Sequence, residues 1–463
     1  MNGILTLEVE CSTLNEKTLK DMLFRTVADN SRLSSLIRDG YFVPAGETLQ
    51  DLELDYSVQN VPLNWSEKAQ EMVIESEMNN PVKSHYLPWR IRFYLSPSFK
   101  RDGKSFMQLH IGLSMLHTLT DGMGVTIIMK SLVENLHKAI TSKSKIPIDT
   151  PLNEEIIPNA FSSVSILDPR LKIAWYVWPF LFLWRLLFGL WFAINAISGL
   201  FFPTVDYKSK LDPTLIEVKS MENVNSHRYL RLDKDTTSKL RNIAREHGGS
   251  VTSLLESAAC IAYAKMSESY GRDTSYFTFT NMVNIRPFCS NRDVIPHLKG
   301  NAILNALEYR YEMNDEESFW WHISEMKRRI QRISMHVGPS CRMINVMPVH
   351  LTAMLFCVQK VTHWRDSAFL FSNVGMFEGE QLNWAPKIKV LNVIGSSSNV
   401  YEGNRNLINI TCLTIDGRLG FSFVFPNNLV PLEDADYFIK TYQLVLQEIL
   451  KNKEVLVGDL KNL

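Results

Sequence analysis

The stretch Ser114-Met115-Leu116-His117-Thr118-Leu119-Thr120-Asp121-Gly122-Met123-Gly124 sets an imidazole four residues before an aspartate–glycine pair. A histidine desolvated in apolar surroundings stays neutral near pH 7, and a neutral imidazole is a competent general base. An aspartate across a turn from it is placed to brace the loop through an arginine, rather than to touch the proton in flight. Gly122 allows a close approach that a side chain would block. There is no G-x-S-x-G elbow and no cysteine near His117, so nothing suggests a covalent acyl-enzyme. A lone base suits direct attack by a substrate hydroxyl or amine on an activated acyl group. Taken singly, the two residues have plainer roles, a satisfied core histidine and a helix N-cap; taken together, they point to chemistry.

The flanking elements must aim these groups. Met107, Leu109, Ile111, Leu113 and Met115 alternate with Gln108, His110, Gly112 and Ser114. That period of two predicts a strand with one buried face. His117 keeps the parity of the apolar row and should leave the strand pointing inward, whereas His110 has the opposite parity. Beyond Asp121, the spacing of Val125, Ile128, Leu132, Leu136 and Ile140 is helical, so Asp121 sits near a helix N-terminus. Elsewhere "LPWRIRFYL", "SYFTFTNMVNI", "LINITCLTI" and "LGFSFVF" read as strands. "DKDTTSKLRNIAREHGG" reads as a polar helix and "SVTSLLESAACIAYAKM" as a buried one. The fold class is α/β, with halves at 1–165 and 211–463 and a connection at 166–210.

Within that connection, residues 173–202 are almost wholly apolar, with Arg185 the only charge and tryptophans at 175, 178, 184 and 191. About 20 apolar residues suffice to span a bilayer. A single span would put the halves on opposite membrane faces, where they could not share a site. A re-entrant hairpin or interfacial helix pair, bent near Pro179 and Arg185, is therefore expected, with a buried helix pair as the alternative. The first residues lack the features of a signal peptide. The expected location is a cytosol-facing membrane, the endoplasmic reticulum or a lipid droplet in a eukaryote.

Lys+Arg and Asp+Glu balance at 49 each, and no basic block with interleaved aromatics occurs, which argues against a nucleic-acid partner. Six scattered cysteines without C-x-x-C argue against a zinc site and a disulfide framework. His85, His110 and His117 lie near one another in sequence, but the last two have opposite strand parity and no H-E-x-x-H occurs, so no metal is expected.

His117, Asp121 and Gly122 resemble the H-x-x-x-D-G signature of one acyltransferase superfamily. It contains chloramphenicol acetyltransferase, nonribosomal peptide condensation domains, plant BAHD acyltransferases, alcohol acetyltransferases and wax ester synthase/diacylglycerol acyltransferases. Pro88 and Trp89 resemble the P-L-W segment of wax ester synthases, and residues 248–266 resemble the helix opening their second half. "NMVNIRPF" with Gly300-Asn301 resembles their N-R-P … G-N stretch, and Phe371-Ser372-Asn373-Val374-Gly375 their S-N-V strand. The resemblance spans nearly the whole chain except the apolar connection.

It implies two chloramphenicol-acetyltransferase-like halves forming a pseudo-dimer around a central tunnel, with His117 midway along it. Acyl-CoA, a co-substrate rather than a cofactor, would enter from one side and a hydroxyl-bearing lipid from the other. Asp121 would be structural, paired with Arg32, Arg38 or Arg286. Asn373 or Ser372 would meet the oxyanion, and Trp89, Ser372 and Gly375 would contact substrate. The sequence also departs from the pattern. Leu116 replaces the first histidine of a usual pair, Thr252-Ser253 stands where an N-D pair is usual, and the P-G-P after S-N-V is absent, as is the BAHD D-F-G-W-G motif. The resemblance thus implies a lipid O-acyltransferase, with a short-chain alcohol acetyltransferase or a non-catalytic lipid-binding member as alternatives.

Overall fold

A computed structural model describes residues 1–11, 13–38, 41–82, 87–117, 119–142, 144–152, 157–158, 183, 224–271, 274, 276–284, 303–344, 367–397, 406–427, 430–452 and 454–463. Apart from Leu183, the apolar run at 173–202 lies outside these residues, as do Arg286 and Gly300-Asn301. Among the described residues, no helix is long and apolar enough to cross a membrane.

The first part of the chain runs β1 (Asn2–Val9), α1 (Glu16–Ala28), β2 (Ser35–Arg38), β3 (Tyr41–Pro44), β4 (Tyr56–Asn60) and α2 (Glu67–Met78). It continues with β5 (Trp89–Leu95), β6 (Phe99–Arg101), β7 (Lys104–Met115), α3 (Gly122–Thr141) and β8 (Ile157–Pro158). The second part runs β9 (Asn225–Arg231), α4 (Lys234–Glu246), α5 (Val251–Glu268), β10 (Tyr276–Asn284), β11 (Ile303–Glu312) and α6 (Phe319–Ile344). It ends with β12 (Ser367–Phe377), β13 (Ile388–Ser396), β14 (Asn406–Ile415), β15 (Arg418–Pro426), α7 (Leu432–Lys451) and α8 (Val457–Lys461).

One sheet has the order β13-β1-β7-β5-β4, with β6 attached to β7. The other has the order β11-β10-β12-β14-β15-β9. In the second sheet the central pairs β10–β12 and β12–β14 are parallel and the flanking pairs antiparallel. Asp416 and Gly417, both at positive φ, turn the β14–β15 hairpin in the manner of a D-G turn. Beneath this sheet lies α5, whose run from Leu254 to Ala262 is fully buried. Its small side chains let neighbouring elements pack on every side, as expected from its composition.

Two features differ from the expectation. First, β13 comes from the second part of the chain yet pairs with β1 of the first sheet, over Asn2–Val9 against Ile388–Ser396. The sheets therefore do not divide at one point in the sequence. Second, β7 is buried on both faces. The even-numbered side is covered by α2, so His110 is 1% exposed. There Thr6 and His110 share a hydrogen bond of 3.0 Å, and Trp65 stands edge-on to the ring. Strict alternation signals one apolar face and leaves open whether polar residues opposite it meet water or another element.

Candidate active site

His117 leaves the end of β7 in a loop tied down at several points. The Leu116 N–H donates to the Pro88 carbonyl at 2.9 Å, and the Leu119 N–H donates to the Leu116 carbonyl at 3.0 Å. Arg32 donates from Nη1 to the Leu119 carbonyl at 3.0 Å, with its guanidinium over the Phe42 ring. Asp121 is fully buried and caps α3, its Oδ1 accepting from the Gly124 N–H at 2.8 Å. Backbone, an arginine and a helix cap thus hold the imidazole in place.

His117 is exposed to the cavity it lines, and the protein packed around it still desolvates the ring. Desolvation is the main cause that pushes its pKa below the usual histidine value. A backbone hydrogen bond and the Asp121 carboxylate act the other way without cancelling the shift. The imidazole is therefore neutral near pH 7, the form a general base needs.

The cavity, about 110 Å³, is walled by both parts of the chain. Leu113, Met115, Met123 and Met129 come from one side, Met282 and Leu370 from the other, and His117, Gly122, Ser372 and Asn373 all line it. A Cβ added at Gly122 would lie 3.4 Å from Val374 Cγ2, so α3 packs within van der Waals reach of β12 there.

Asn373 is held by its neighbours. Its Oδ1 accepts from the Gly375 N–H at 3.0 Å, and its Nδ2 donates to Thr252 Oγ1 at 2.9 Å. Because a backbone N–H can only donate, the amide orientation is fixed. One amide N–H is thus engaged by Thr252, and a second remains on a side chain that faces the cavity. Gly375 sits at φ +120, a conformation that favours glycine, beside an irregularity where β12 pairs with β14. Thr252 lies in the first turn of α5, where Ser250 and Ser253 form a reciprocal cap.

The structure thus brings His117, Gly122, Ser372 and Asn373 to one cavity, with Asp121 behind the loop and Gly375 behind Asn373. Trp89 departs from the expected substrate contact. It is a core side chain, 2% exposed, whose Nε1 donates to the Leu33 carbonyl at 2.7 Å. Its strand is flanked on both sides, which leaves the indole facing the core. Of the arginine candidates, Arg32 reaches the His117 loop, Arg38 is exposed at the end of β2, and Arg286 lies outside the described residues. Among the described residues, no group of three or more His, Cys, Asp or Glu side chains is arranged to hold a metal ion. The sequence reading missed the role of Thr252, because its partner lies on a distant strand; the Ser250–Ser253 cap was the available signal.

No protein-family model matches the sequence, and neither does any curated protein sequence. Solved structures do match. The chain is similar to the epimerization domain from the third module of tyrocidine synthetase B, at 13% identity and TM-score 0.58, covering 97% of this chain and 91% of that one. It is similar to the first condensation domain of the CDA synthetase, at 12% identity and TM-score 0.56, covering 99% and 92%. It is also similar to polyketide synthase associated protein 5 from Mycobacterium tuberculosis, at 13% identity and TM-score 0.56, covering 96% and 95%. These likenesses define the fold: the chloramphenicol-acetyltransferase-like pseudo-dimer shared by condensation and epimerization domains.

Proposed function

We propose that the protein is an acyltransferase that moves an acyl group from acyl-CoA to the hydroxyl of a lipid acceptor. The observation that carries this is that His117 and Asn373 line one cavity: a neutral imidazole from the loop after β7 and an amide N–H from β12. His117 would take the hydroxyl proton as the oxygen attacks the thioester carbon. The Asn373 N–H would stabilise the negative carbonyl oxygen of the tetrahedral intermediate, with Ser372 as the other candidate. As that intermediate collapses, the C–S bond breaks and His117 returns its proton to the thiolate. Asp121 and Arg32 would position rather than react.

The apolar part of the wall, Leu113, Met115, Met123, Met129, Val393 and Leu413, supports an acceptor with an aliphatic portion, which gains by leaving water there. A lipid substrate in turn fits a membrane-associated protein, with 173–202 lying on or re-entering a cytosol-facing bilayer. The test pairs acetyl-, octanoyl- and palmitoyl-CoA, and palmitoyl-pantetheine, with a short alcohol, a long-chain alcohol, a sterol and diacylglycerol. Ester formed only with lipid acceptors supports the proposal. Ester with the short alcohol alone would make it an alcohol acetyltransferase. No ester, together with saturable lipid binding, would favour a non-catalytic lipid binder.

A further inference from the structure

Two glycines lie side by side on the cavity wall. Gly3 of β1 is paired with Gly395 of β13 on one side and with Leu113 of β7 on the other. All three line the cavity that holds His117. Across this row, the sheet presents bare backbone at two adjacent positions.

The two glycines have different reasons to be there. A Cβ at Gly3 would lie 2.8 Å from the Ile394 carbonyl oxygen, so the pairing of β1 with β13 requires glycine. Among the described residues, a Cβ at Gly395 would meet nothing within 4 Å. Nor is Gly395 among the glycines at positive φ. A strand interior is an unfavourable place for glycine, which gains nothing there from packing. Neither backbone conformation nor crowding among the described residues explains Gly395, whose missing side chain leaves open space on the cavity wall.

That space is far from the chemistry. Gly395 lies two strands across from β7, and its row on β7 is four residues before His117. At standard strand spacings β7 lies roughly 10 Å across the sheet, and its last residue, Met115, roughly 7 Å along, with His117 in the loop beyond. A group at Gly395 is thus set back from the imidazole across two strands. It can touch the far end of an extended substrate. Met129, Val393 and Leu413 give this row apolar walls, while Asn2, Ser396 and Ser397 border it on the other side. Methionine adapts to a flexible chain without imposing a shape.

We propose that Gly395 is the specificity determinant for the tail of the apolar substrate: its missing side chain makes room for a long aliphatic chain. This rests on the acyl-transfer proposal above and adds to it a substrate class, a long-chain rather than a short-chain aliphatic group. Gly3 shares the floor but cannot be varied without disturbing the sheet, so the test uses Gly395 alone.

The experiment compares the full chain carrying Gly395→Ala, Gly395→Val or Gly395→Leu with the wild type in two assays. The first measures ester formation over acyl-CoA and alcohol series from two to sixteen carbons. The second measures displacement of the fluorescent chain cis-parinaric acid by the same alcohols and by fatty acids, and needs no catalysis. Gly395→Leu should lower the preference for sixteen over four carbons at least tenfold in one series, with Gly395→Val intermediate and Gly395→Ala affecting only the longest chains. The series that responds identifies the substrate lying on the floor. An unchanged profile in every series, or equal loss at all lengths in Gly395→Ala, would overturn the proposal. If the wild type forms no ester, acyl transfer fails, and the displacement profile alone decides the role of Gly395.

Discussion

Thr252 and Asn373 are 121 residues apart in the chain, and their side chains share a hydrogen bond of 2.9 Å. One belongs to the capped first turn of a buried helix, the other to a strand that faces the cavity. The helix thereby fixes the direction of the amide without contributing to the cavity lining. Thr252→Val should lower the rate at saturating substrate about fivefold, the scale of one net hydrogen bond, with KM little changed. Thr252→Ser should restore it. A raised KM at an unchanged rate would place Thr252 in substrate binding instead.

Asn373 and Ser372 both line the cavity, and their truncations should separate them. If Asn373 meets the oxyanion, Asn373→Ala should reduce the transfer rate by about 10²-fold or more, and Ser372→Ala should leave most of it. Steady-state rates on the same donor and acceptor decide between them, and the reverse order would assign the oxyanion to Ser372.

The lowered pKa of His117 sets the acid side of the pH profile. Transfer needs the neutral ring, which persists to lower pH than in a free histidine, whose pKa is about 6.5. The rate should hold from neutral pH through 6.5 and be lost only as pH falls through the depressed value. A midpoint at or above 6.5 would contradict the desolvated placement of the ring.

Stability should also fall in acid, through two histidines outside the cavity. Burial lowers the pKa of His110 to about 4 and that of His227 to about 3. Unfolded, each protonates near 6.5, so below that pH the unfolded state binds more protons and is favoured. The contribution is fully present above 6.5 and is lost as pH falls toward 4 and then 3. At about 1.4 kcal/mol per pH unit, each costs on the order of 3 kcal/mol by pH 4. Urea midpoints at pH 7.5 and 4.5 measure this, and His110→Gln should reduce the difference.

Much of this was legible in the sequence because it is local. Alternation gave β7 and the direction in which His117 leaves it, and an acidic residue before a helical pattern gave the Asp121 cap. Trp89 was legible as part of a motif but not in its role. Its Nε1 bond to the Leu33 carbonyl depends on a backbone more than fifty residues away. Trp89→Phe should therefore cost about 1–3 kcal/mol in urea unfolding, for a buried carbonyl left unpaired, rather than shift substrate preference. The crossing of β13, the cover over His110 and the Thr252–Asn373 bond all arise from segments meeting across the fold, and no periodicity in one segment reveals its distant partner.

The most direct measurement is ester formation by the wild type and by His117→Ala at equal protein concentration, with palmitoyl-CoA and a long-chain alcohol. Product formed by the wild type and reduced at least about 10²-fold in the variant, the scale of a lost general base, is the expected result. A variant that remains folded and forms ester at the wild-type rate would show that His117 moves no proton.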